Sequence, residues 1–195
     1  EDFEAVTHHA DITATAGAFL QRSTEAARSG HAGLLMQAPP GATSFIRAEW
    51  TTESTRVPTL AISLWMRSLT LNPGEIITIE LIITKRRQAH HIKLMYKAEL
   101  NRWYFINEAN AEEALDAIDT ILTEGIWQHI IIEVNTNRKR IEAIHIGEES
   151  YKVNKGYFTE AGDFLTTHQI LAIQLNAGTA DIAQLHVDDI ILREL

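Results

Sequence analysis

Cysteine is absent from this 195-residue chain. A disulfide scaffold and thiolate chemistry are therefore excluded, while the compartment stays open. Basic residues are scarce as well: 17 Lys and Arg stand against 26 Asp and Glu, for a formal net charge of −9 and a pI near 5.4. That balance argues against a nucleic-acid partner, since holding a phosphate backbone needs a basic face. The short run Arg138-Lys139-Arg140 reads as a solvated hairpin tip. No stretch reaches the roughly 18–20 apolar residues that cross a bilayer as a helix, so no membrane span is expected. Aromatic residues make up only 7% of the chain, and most large rings are expected to be buried. Gly-x-Ser-x-Gly and Gly-rich phosphate-loop patterns are missing. Nine histidines are present, but none in a His-x-His or His-x-Glu-x-x-His spacing, and adjacent pairs such as His90-His91 diverge on a strand.

What is present is alternation. A 45% apolar and 22% charged composition is that of a globular domain, and residues 1–195 read as one domain without repeats or low-complexity linkers. The stretch Trp127–Ile146 reads as strand, polar turn and strand, with Ile130, Ile132 and Val134 on one face and Asn135 to Arg140 as the turn. Such a hairpin needs partners on both sides. They are supplied by strands at 33–37, 44–51, 59–68, 75–84, 91–97, 102–106, 168–176 and 182–192. Tyr151 to Phe158 reads as a loop or weak strand. Asn110 to Thr123 is the exception: its good helix formers, with Leu115, Ile118 and Leu122 at helical spacing, predict a short helical insertion. A strand over 117–122 is the competing reading. The fold class is therefore all-β, an antiparallel β-sandwich of jelly-roll type.

Three pieces, in order along the chain, resemble the concanavalin A-like lectin and glucanase superfamily, including laminin-G-like domains and jelly-roll carbohydrate-binding modules. They are Phe3-Glu4 followed by Arg28 to Leu35, the strand Gly125 to Val134, and the ending Leu185 to Leu192 with its Asp188-Asp189 pair. The resemblance implies a structural calcium (Ca2+) held by Glu4, by a carbonyl of Gly30 or His31, and by Asp188 or Asp189. Oxygen ligands of these kinds suit calcium. Since adjacent strand residues point oppositely, one carboxylate, Asp189 by its parity with Val187 and Ile191, is expected to be buried or paired. The alternative is a buried carboxylate satisfied by backbone N–H groups or an arginine.

The resemblance also implies a ligand face on the side of a sheet away from the core. Trp65 and Arg67, Glu80, Lys93, and one of Trp103 and Tyr104 have the parity for it. Hydrolysis would need paired carboxylates. Glu75 to Glu80 resembles the superfamily's E-x-D-x-x-E strand, but Ile77 replaces its aspartate and the two glutamates have opposite parity. The expected function is a non-catalytic carbohydrate-binding or adhesion module whose partner is a polysaccharide or glycan. Opening on Glu1 rather than Met fits an upstream segment that has been removed, and the expected location is secreted or on the cell surface. A structural or protein-interaction sandwich with a protein partner is the second expectation. The third is an atypical polysaccharide-degrading enzyme using Glu80, His91 and Lys93.

Overall fold

Alternating side chains need two apolar layers to bury themselves in, and the chain builds both. The structure, a computed structural model, describes residues 10–30, 32–53, 58–85, 87–116, 118–164 and 168–195. One sheet contains β1 (Asp11–Ala14), β4 (Phe45–Glu53), β6 (Ile76–Lys85), β7 (Gln88–Lys97), β8 (Arg102–Ile106), β9 (Glu112–Ala114), β13 (Phe158–Ala161) and β14 (His168–Asn176). The other contains β2 (Phe19–Ser23), β3 (Gly33–Ala38), β5 (Thr59–Ser68), β10 (Gln128–Asn135), β11 (Arg140–Ile146), β12 (Glu149–Gly156) and β15 (Ala183–Glu194). The eight-stranded sheet runs β1–β4–β14–β6–β7–β8–β9, with β13 also on β7; the seven-stranded sheet runs β12–β11–β10–β5–β15–β3–β2. Every neighbouring pair is antiparallel. This is the jelly-roll sandwich expected. Among the described residues, no helix is long and apolar enough to cross a membrane.

The core lies between the sheets. Ile79, Leu94 and Ile173 face it from one side, and Ile62, Leu64, Ile132 and Val187 from the other, each 1% exposed or less. Burying a side chain of this size stabilises by roughly 1.5–3 kcal/mol. The central hairpin holds its place: β10 pairs with β5 on one side and β11 with β12 on the other. In its turn Lys139 takes the positive φ (53°), while Asn135 Oδ1 accepts from Arg138 N at 3.0 Å.

The helical insertion over 110–123 is a correction, and so is its competing strand. The described residues of that segment form β9, a turn and extended loop. Asn107 Oδ1 accepts from Ala109 N and Ala111 N, and Asn110 adopts φ 57°, which turns the chain back onto β8. Leu115 N then donates to Trp103 O at 2.9 Å. Backbone groups that a helix would use internally are thus given to β8. Leu115, Ile118 and Leu122 are still buried, packed into the core from a non-helical chain.

Candidate functional site

The six expected ligand residues fall in three places. Trp65 and Arg67 are on the outer face of the seven-stranded sheet, and Glu80, Lys93 and Tyr104 on the outer face of the eight-stranded sheet. Trp103 points inward and is 1% exposed, so it presents nothing to a ligand.

On the seven-stranded sheet the rings are already occupied. Trp65 stacks on the His129 ring at 4.6 Å, nearly parallel, and the Arg28 guanidinium lies 3.4 Å from its centroid. With one face against His129 and Arg28 over the ring, little π-surface is left for a sugar. Arg67 donates to Glu25 O and to His186 Nδ1, both at 2.7 Å, and sits 5.0 Å from the Trp127 ring. His186 is 2% exposed; its burial, aided by the Arg67 charge, lowers its pKa to about 4. The His129 pKa is lowered by burial and then by Arg28, and its Nε2 shares a 2.7 Å hydrogen bond with Ser63 Oγ. The loop before β3 closes this face. It packs so tightly that a Cβ on Gly33 would lie 2.0 Å from Ala26 O.

The expected calcium corner reads as an anchor for that same loop. A β-bulge with Asp189 at φ 49° reverses the parity of the last strand, so that Asp189, expected to be buried or paired, is paired. Asp188 is buried instead. Its Oδ2 accepts from Arg28 N at 2.7 Å and Ser29 N at 3.1 Å, and its Oδ1 from Asp189 N at 2.9 Å. Asp189 accepts from Ser29 Oγ and lies 4.0 Å from Arg28. Gly30 is exposed in a bend, at φ 67°. Glu4 and His31 lie outside the described residues, and among those described no three acidic or histidine side chains gather as a cation site. The backbone N–H groups that satisfy the Asp188 carboxylate match the alternative reading of this corner, a buried carboxylate without a metal.

The outer face of the eight-stranded sheet carries a polar cluster whose middle is little exposed, Glu80 at 9%, Thr78 at 3% and Met95 at 4%. One cross-strand row runs Arg47, Gln174, Thr78, Met95, Tyr104 over β4, β14, β6, β7 and β8. The next runs Asp11, Glu49, Ala172, Glu80, Lys93. Arg47 is the hub: Nε donates to Glu49 Oε1 at 2.6 Å, and Nη1 reaches Glu80 Oε2 at 2.9 Å and Gln174 Oε1 at 3.4 Å. Burial would lower its pKa; the hydrogen bonds and charges of Glu49 and Glu80 outweigh that and raise it. His91 adds a second contact to Glu80, Nδ1 to Oε1 at 4.0 Å, and its Nε2 lies 3.5 Å from Glu160. Neither approach has hydrogen-bond geometry, and Nε2 is buried without a hydrogen-bond partner. Tyr104 closes the row, with Lys97 Nζ 4.7 Å from its ring. Glu75, the other half of the broken carboxylate motif, is 1% exposed and held by Thr70 and Asn72, far from this chemistry in role.

Arg47 and Gln174 complete the cluster but were not singled out from the sequence. Alternation sets Arg47 and Glu49 on the face opposite Ile46, Ala48 and Trp50, but nothing in it places β4 and β14 beside β6.

No protein-family model matches the chain, and no curated protein sequence matches it significantly. Solved structures do resemble it. An endo-β-1,4-glucuronan lyase from the fungus Trichoderma reesei superposes with a TM-score of 0.65 at 10% identity, covering 95% of this chain and 90% of that one. The cellulose-induced protein Cip1 gives 0.64 at 16% identity, over 95% and 91%. A structure of carbohydrate-binding modules of the β-sandwich superfamily gives 0.54 at 13% identity, over 95% of this chain and 57% of that chain. These likenesses establish the jelly-roll β-sandwich fold.

Proposed function

We propose that this chain is a non-catalytic carbohydrate-binding module that takes a polysaccharide on the outer face of its eight-stranded sheet. The observation that carries the reading is the cluster of Arg47, Glu49, Glu80, Gln174 and Lys93, drawn from four adjacent strands onto one sheet face. Sugar hydroxyls donate and accept at once, so a rigid face that interleaves carboxylates, an amide and cations can satisfy them without rearrangement. Tyr104 supplies a ring at the end of the row. The fold neighbour named for carbohydrate-binding modules supports the same ligand class. Secretion or display at the cell surface belongs to this reading. A calcium at the Asp188 corner is proposed only in company with Glu4; a melting midpoint that drops in chelator would support it.

The test is affinity electrophoresis against a panel of soluble polysaccharides. At least one should retard the chain. Lys93→Ala and Gln174→Ala should each weaken that binding about tenfold, the effect of losing one hydrogen bond to a charged or amide group. Lys152→Ala, on an exposed edge of the other sheet, should not. Retardation by no glycan would return the chain to the class of structural or protein-interaction sandwiches.

One observation favours a second reading, a polysaccharide-degrading enzyme. Glu80 sits between Arg47 and His91 on the outer sheet face, with Lys93 as its cross-strand partner. New reducing ends or unsaturated product from any bound polysaccharide, lost in Glu80→Gln, would establish it.

A further inference from the structure

We infer, resting on the binding reading above, that this face selects uncharged polysaccharides and turns polyuronates away. A carboxylated sugar is normally captured by a bidentate arginine fork. Either fork of Arg47 needs Nε or Nη1, and both nitrogens are already committed, to Glu49 and to Glu80 with Gln174. The hub is therefore a neutralised cation that offers dipoles and carboxylate acceptors to hydroxyls.

The surroundings add repulsion. Asp11 lies beside Glu49 in the same row, and Glu160 lies 3.5 Å from His91 at the far side of Glu80. Four carboxylates, Asp11, Glu49, Glu80 and Glu160, thus face the two cations Arg47 and Lys93. Lys93 itself stands opposite Glu80 across the β6–β7 ladder. Further along the face, Lys97 and Arg102 are paired with Glu112 and Asp116. The chain as a whole carries −9, so a polyanion also meets a repulsive long-range field. Rejection by an excess of like charge is a recognised route to specificity.

The experiment compares, by the same electrophoresis, an uncharged polysaccharide that the chain binds and a polyuronate of matching linkage, at low and high salt. The polyuronate should bind about tenfold more weakly or worse at low salt, and the gap should narrow as salt screens the carboxylates. Asp11→Asn combined with Glu160→Gln removes two exposed charges outside the Arg47 clamp and should cut the low-salt gap to about threefold. A polyuronate bound as tightly as the uncharged polymer at low salt overturns the inference and leaves the binding reading intact. A gap that neither salt nor the double variant moves also overturns it, because shape would then be the cause. Failure to bind any polysaccharide refutes the binding reading itself.

Discussion

Asp188 is 2% exposed, and its carboxylate accepts from three backbone N–H groups, those of Arg28, Ser29 and Asp189. Those bonds fix the loop whose Arg28 lies over Trp65. Asp188→Asn keeps the shape but turns one acceptor into a donor that faces N–H donors. Since a bond to a charged group is worth about 1.5–3 kcal/mol, the substitution should cost about 2–3 kcal/mol in urea unfolding. It should also make Trp65 more accessible to a fluorescence quencher. Asp189, with a 28% exposed side chain and Ser29 Oγ as its hydrogen-bond partner in that loop, should lose less than about 1 kcal/mol on the same change. Equal costs at the two positions would refute this division of labour.

The segment after β8 shows where elements outrun their sequence signal. Trp103 Nε1 donates to Thr120 O at 3.0 Å, and its ring packs on Tyr96 at 5.1 Å, so one indole pins an irregular stretch to the sheet. Trp103→Phe removes that donor and leaves a small void, at an expected cost of about 2 kcal/mol. Amide exchange at Leu115 and Ile118 should quicken well before exchange in β10; uniform acceleration would contradict the idea. Helical spacing of Leu115, Ile118 and Leu122 misled because residues packed down from a loop can share that spacing by chance. The strands legible in advance were those with one buried face. β1 and β2, exposed nearly throughout, and β12, with Val153 as its one buried side chain, carry little alternation for a reader to find. The last strand was legible up to its bulge, beyond which Ile190 turns inward and Ile191 outward.

At the scale of the molecule, alternation tells which residues point outward but never from which sheet. Trp65 and Glu80 share outward parity and lie on opposite sides of the sandwich, because strand order depends on pairings between distant segments. The whole molecule also has a predictable response to acid. His186, His90 and His129 all have pKa values lowered chiefly by burial, His186 to about 4. For a histidine whose folded pKa lies below its unfolded value of about 6.5, the unfolded chain binds the extra proton between the two. Stability is then complete above about pH 6.5, falls as pH is lowered through the window, and levels off below the folded pKa. Glu75, raised by burial, acts in the opposite sense, but it is one group against three. The urea midpoint should therefore be lower at pH 5 than at pH 7.5. Arg67 can only donate to His186 Nδ1, so the neutral ring is the form this pair requires. His186→Gln keeps an acceptor there and removes the titration, so the slope of stability against pH should shrink by up to one proton's worth, about 1.4 kcal/mol per pH unit. An unchanged slope would mean that His186 takes up its proton in the folded chain as readily as in the unfolded one.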